Sequence, residues 1–282
     1  MAVRLIVDSG ADMLPAECEK LGILHLPLKV FFGETEYADA VDLSHREFYE
    51  KLVESDTVPT TSQIGPAEFA DAMEQVVAAG DTAVVVTVSG KLSGTYQSAM
   101  IAASEYPGKV FVVDSENVSL GERILVEFGL SLLREGKSAE QIAAAMDEQK
   151  KHIRVIALLD TLEYLKKGGR ISSAVALAGS LLSIKPVIAV ENGAVTMVGK
   201  ARGSRQGNNL LRQMVETSGG IHFGKPFCLA YSGLSDTLLQ KYIADSSELW
   251  KGETENLPIA TIGCTIGAHA GPGAIALAYF EK

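Results

Sequence analysis

The residues with chemistry to offer fall in a few short segments. Four of them, Asp8-Ser9-Gly10, Thr60-Thr61-Ser62-Gln63, Ser89-Gly90-Lys91-Leu92-Ser93-Gly94 and Asp114-Ser115-Glu116-Asn117, are rich in hydroxyls and glycine. Ser93-Gly94 runs into a helical stretch, Thr95–Tyr106, and so combines a hydroxyl, free backbone N–H groups and the positive end of a helix dipole. That combination suits an anion, and it also suits ordinary capping. Thr60-Thr61-Ser62 precedes Gly65-Pro66 and a helix. Capping would use one hydroxyl, which leaves Thr61 or Ser62 for a ligand carboxylate or phosphate.

Two further segments add a cation and an imidazole. The stretch Thr161-Leu162-Glu163-Tyr164-Leu165 reads as a helix that stops at Gly168-Gly169, so Arg170 projects from a backbone kink. It is either a surface arginine or the counter-ion of a bound anion. In Gly267-Ala268-His269-Ala270-Gly271-Pro272-Gly273, one of five histidines sits among glycines, and a Gly-rich loop at a strand end favours a ligand-facing ring. Cys264 lies five residues earlier in an apolar strand context, Ile262-Gly263-Cys264-Thr265-Ile266, which reads as a buried thiol more than a nucleophile. Lys91 is followed by Leu, and Val85 stands where a P-loop needs glycine; HExxH, GxSxG and GxGxxG are missing too.

The 282 residues carry 25 Lys+Arg against 35 Asp+Glu, for a net charge of -10. With no basic block, nucleic acid is not an expected partner. Hydrophobic residues make up 47%, enough for a full core. Cys18, Cys228 and Cys264 are odd in number and never in a CxxC, which suits a reducing compartment and excludes a thiolate zinc site, so no metal is expected. The opening MAVRLIVDSG lacks the pattern of an export signal, and the apolar window Ala174 to Val190 is interrupted by Ser180, Ser183 and Lys185-Pro186. A cytoplasmic protein is expected.

These segments need a frame. Short β-branched runs at Val3–Val7, Leu24–Phe32, Ala83–Val88, Val110–Val113 and Val155–Leu159 alternate with helical periods, which implies an α/β/α domain around a parallel sheet. Ser44 with Glu47 and Ser138 with Gln141 fit capping boxes, and Pro66 fits a first turn. Beyond about residue 160 the pattern changes. Val187–Val190 and Val195–Val198 flank Asn192-Gly193, a hairpin signal, and the runs Phe227–Ser232, Ile259–Thr265 and Ala274–Phe280 surround helical stretches at Ser204–Val215 and Asp236–Leu249. This predicts a second, α+β domain, residues 161–282, with a largely antiparallel sheet, after a first domain of residues 1–160. No repeat or linker separates them, so a cleft between the two is the natural ligand site.

Asp8-Ser9, Pro59-Thr60-Thr61-Ser62-Gln63, Leu92-Ser93-Gly94-Thr95-Tyr96-Gln97-Ser98-Ala99, Val113-Asp114-Ser115, Leu162 to Ile171, Lys185-Pro186 and His269-Ala270-Gly271-Pro272-Gly273-Ala274 together resemble the DegV family over nearly the whole chain. The resemblance implies two α/β domains holding one long-chain fatty acid, such as palmitate, stearate or oleate, as in the FakB-type subunits of bacterial fatty acid kinase. Such a subunit catalyses nothing alone and uses no cofactor. It presents the carboxylate to an ATP-dependent kinase subunit, which forms an acyl phosphate for phospholipid synthesis. By matching position, Thr61, Ser62, Ser93 and Gly94 would hold the carboxylate, with Arg170 and His269 flanking it. Arg202 and Lys167 would face the partner, and Leu177, Leu181, Leu182 and Ile184 are suited to line the tunnel. A monomer in transient contact with membrane is expected. The alternative is a hydrolase or phosphotransferase acting on a small anion, with Ser93 as nucleophile, His269 as base and Asp114 recruited to orient it.

Overall fold

The structure is a computed structural model that describes residues 2–172, 184–250 and 255–282. Strands β1 (Val3–Asp8), β2 (Leu24–Leu26), β6 (Thr82–Thr87) and β7 (Val110–Asp114) form a parallel sheet in the order β2-β1-β6-β7. All six residues of β6 are buried, as a strand covered on both faces must be. Ala83 and Val85 pack with Phe69 and Met73 of α3 (Pro66–Ala78) and Ala99 of α4 (Thr95–Ala103). Val84 and Val86 face the other way, onto α5 (Leu120–Arg134) and α6 (Ala139–Gln149). The expected capping boxes form at Ser44/Glu47, which opens α2 (His45–Glu54), and at Ser138/Gln141, while Pro66 occupies the first turn of α3.

The second sheet has the order β10-β9-β8-β13-β11-β12, built from β8 (Ile153–Leu158), β9 (Ile184–Glu191), β10 (Ala194–Arg202), β11 (Phe227–Tyr231), β12 (Ile259–Thr261) and β13 (Ile275–Phe280). Only β11 and β12 pair in parallel; the other pairs are antiparallel. The hairpin signal is realised with Asn192 and Gly193 both at positive φ, 49° and 79°. Gly193 then offers its carbonyl to the Ser89 hydroxyl at 2.7 Å, which ties the hairpin to the first sheet. One face of the second sheet is covered by α8 (Gly203–Thr217) and α9 (Thr237–Asp245). The other shares α5 with the first sheet, so Leu125, Val84 and Ala278 belong to one continuous core. The molecule is thus a parallel α/β/α unit joined to an α+β unit with a largely antiparallel sheet. Among the described residues, no helix is long and apolar enough to cross a membrane.

Four details differ from the expectation. Strand β8 was expected to close the parallel sheet, yet it runs antiparallel between β13 and β9. Division by sheet membership therefore falls ahead of Ile153 and not near residue 160. The run Leu24–Phe32 is not one strand: Pro27 has no N–H to give a ladder, and the chain leaves β2 for a small antiparallel sheet of β3 (Lys29–Phe32), β4 (Thr35–Ala38) and β5 (Thr60–Ser62). Thr60-Thr61-Ser62 is accordingly a strand and not a capping loop. Finally, Cys264 to Ala270 is a helix, α10, where a strand and a glycine loop were expected. Its first N–H groups are satisfied from far away, Gly263 N–H by Asp12 Oδ1 at 2.8 Å, and Cys264 and Thr265 N–H by Asp39 at 3.1 Å each.

Candidate functional site

The register of the second sheet sets Ala276 beside Ala157, with Ile188 next to Ala157 on the following strand. Two adjacent alanines leave space above the sheet that larger side chains would fill. A cavity of about 940 Å³, its open mouth included, lies there, roofed by Leu28, Val88 and Val118. Burial gives the cavity a direction. Thr61, Ser62, Ser93, Arg170 and His269 are half-buried and Gln63 is exposed, whereas Val88, Leu159, Ile262 and Ala276 are buried. One end is open and polar, and the interior is almost wholly apolar.

Five of the six residues expected at the head of the site meet at this mouth. Arg170 is held by its surroundings: Nε donates to Leu92 O at 3.0 Å and Nη1 to Gly168 O at 2.7 Å. Among the described residues no carboxylate pairs with it, so its charge is available to an anion. The Ser93 hydroxyl lies 2.8 Å from that of Thr95 and accepts the Thr95 N–H at the start of α4. His269 Nε2 lies 2.9 Å from Thr61 Oγ1. Burial, with Arg170 adding repulsion, pushes the imidazole down to about 4, so the ring is neutral at physiological pH.

The tautomer of that neutral ring decides what Thr61 offers. His269 Nδ1 is buried against Gly168 without a hydrogen-bond partner among the described residues, at a spot where any Cβ would stand 2.1 Å from it. An orphaned acceptor costs less than an orphaned N–H, so the proton belongs on Nε2. Nε2 then donates to Thr61, and the Thr61 hydroxyl is free to donate into the cavity. The mouth therefore presents donors and a cation, which suits a carboxylate. Gly168→Ala should displace the ring and break the Thr61 contact, lowering stability by about 1–3 kcal/mol. Thermal unfolding would check this, and a variant as stable as the parent would contradict the packing just described.

Other expected residues lie elsewhere. Gly94 does not line the cavity; it abuts the Gln63 side chain, which donates to Ser98 Oγ at 2.9 Å. Lys167 is paired with Glu163 at 2.7 Å on the surface of α7 (Glu163–Lys167), and Arg202 is exposed at the end of β10. Ile184 opens β9 outside the lining, while Leu177, Leu181 and Leu182 fall outside the described residues. The Ser93–His269–Asp114 arrangement is not formed: His269 bonds to Thr61, and Asp114 Oδ1 accepts from the Gly90 and Glu116 N–H groups. The inward-facing Thr265 and Ser119 were missed. For Thr265 the signal was present, because Ile262, Ile266 and His269 recur at helical spacing.

The chain resembles known proteins over its full length. Residues 2–282 match the DegV family, described as uncharacterised proteins. A DegV domain-containing protein of Deinococcus radiodurans is 34% identical over 283 residues, covering 99% of this chain and 98% of the relative. Among solved structures, a DegV family protein from Thermus thermophilus, described for its fatty acid binding, is 32% identical with a TM-score of 0.88 and complete coverage of both chains. A stearic acid-binding protein from Eubacterium ventriosum is 26% identical with a TM-score of 0.87, covering 100% of this chain and 99% of the other. On sequence over its whole length and on fold alike, this chain belongs to the DegV family.

Proposed function

We propose that this protein binds one long-chain fatty acid, with the tail in the cavity above Ala157 and Ala276 and the carboxylate at the mouth. Thr61, Ser62 and Ser93 hold the carboxylate, while Arg170 offsets the cost of taking its charge out of water. The observation that carries this reading is the polarity gradient, a mouth of donors and a cation, Arg170, that no carboxylate among the described residues pairs with, leading to an apolar interior. The fatty acid binding described for the Thermus protein supports it. Purified protein should release about one equivalent of a long-chain acid on organic extraction after native mass spectrometry. Empty protein that takes up neither palmitate nor oleate would sink the reading.

In this proposal the protein is a carrier in the cytoplasm and not an enzyme by itself. It offers the half-buried carboxylate to an ATP-dependent fatty acid kinase subunit, which transfers a phosphoryl group to it, and Lys167 and Arg202 face that partner. The alternative with Ser93 as nucleophile has no paired base, since His269 is turned to Thr61 and is too weakly basic near pH 7.

A further inference from the structure

We propose that Thr265 is a second polar contact for the ligand, and that the acids this cavity holds best carry a hydroxyl or oxo group a short way inside the carboxylate. This rests on the fatty-acid reading above. Thr265 is 6% exposed and lines the cavity, and its Oγ1 is shielded from solvent with no hydrogen-bond partner among the described residues. A helical threonine usually returns its hydroxyl to the carbonyl three or four residues back. Here the carbonyl three back, Ile262 O, already accepts the Tyr49 hydroxyl at 3.0 Å, and Thr261, four back, belongs to β12 and not to the helix. The other interior hydroxyl, Ser119, is committed to the Asp12 carboxylate. Thr265 is therefore left facing the apolar space between Ile262 and Ile266.

Its position relative to the mouth follows from the helix. His269 is four residues on in α10 and shares the same face, about 6 Å along the axis at about 1.5 Å per residue. Exposure falls from His269 to Thr265, so Thr265 stands roughly one turn inside the level at which His269 meets Thr61. A plain hydrocarbon there leaves a buried hydroxyl unpaired. An oxygen on the chain pairs it, and because threonine both donates and accepts, an alcohol and a ketone fit equally. Sites of this kind discriminate strongly, since the ligand lacking the oxygen strands the protein's own group.

The test is competition on the delipidated full chain, read by native mass spectrometry. Palmitate competes with hydroxypalmitates whose hydroxyl is moved stepwise inward from the carbon beside the carboxylate. One isomer should be preferred by about tenfold. Thr265→Val should bring that isomer and palmitate to parity, and Thr265→Ser should restore the preference. Equal binding of every acid to the parent protein, or a preference that survives Thr265→Val, overturns the proposal. If neither palmitate nor any hydroxypalmitate binds, the fatty-acid reading itself fails, and this inference falls with it.

Discussion

Stripping bound lipid from this protein should lower its unfolding temperature by on the order of 10 °C, at about 2–4 °C per kcal/mol for a chain of this size. A ligand that binds only the folded state stabilises it by about 4 kcal/mol when present at a thousand times its dissociation constant. A tail of about 15 carbons is capable of that. At roughly 0.8 kcal/mol per buried methylene it contributes about 12 kcal/mol before the costs of ordering it are subtracted. The protein also gains, because the space above Ala157 and Ala276 regains packing partners on its open side. Thermal unfolding before and after extraction on a hydrophobic resin, followed by addition of palmitate, measures the effect. Ala276→Leu should reduce it by filling the trough. Superimposable melting curves with and without lipid would mean that the cavity is not the binding site.

The parts of this arrangement that the sequence discloses are those decided locally. Alternating β-branched runs and capping boxes specify the parallel unit, and Asn192-Gly193 specifies the hairpin, because their causes lie within a few residues. Thr61, Ser93, Arg170 and His269 stand out by type in glycine-rich surroundings, and all four reach the mouth. What is hidden is decided at a distance. Helix α10 has only seven residues, and its first N–H groups are met by Asp12 and Asp39, more than 200 positions away, so the stretch looks like an apolar strand. Strand β8 is equally misleading. Its composition suits a parallel sheet, and only its pairing with β13, over 100 residues on, puts it in the other one. The cavity itself arises from two alanines brought side by side by that pairing, which no local pattern announces.

The second large effect is in the pH dependence of stability. Asp8, Asp12 and Glu122 are buried acids, and a further buried carboxylate, Asp39, acts on the first two. Asp8 accepts from the Gly10 and Val88 N–H groups, each at 2.8 Å, and burial nevertheless pushes it up to about 7. Asp12 accepts from Ser119 and Gly263, and burial pushes it up to about 8. Neither oxygen of Glu122 has a hydrogen-bond partner, and burial, reinforced by Asp8, Asp12 and Asp114, holds it well above the usual carboxylate range. The nearby cation, Arg123, is engaged by Glu17 and Glu127 and only partly offsets the rise at Asp12.

All three acids hold protons in the folded state that the unfolded chain releases above roughly pH 4. Between that point and the raised folded values the native state binds more protons, so stability falls as pH rises through neutrality. His269 acts in the opposite sense. Its folded value of about 4 lies below the unfolded 6.5, so its contribution is lost as pH falls through that window. Stability should therefore peak on the mildly acidic side and decline toward pH 8. Glu122→Gln keeps the shape and cannot ionise, so it removes one of the three proton demands. It should unfold about 5 °C above the parent at pH 8 and close to it at pH 4, where the unfolded chain also keeps most of its glutamate protons. Parallel melting-temperature profiles for the two proteins from pH 4 to 8 would instead show that Glu122 is charged in the fold, which its unpartnered oxygens make untenable without a cation beside them.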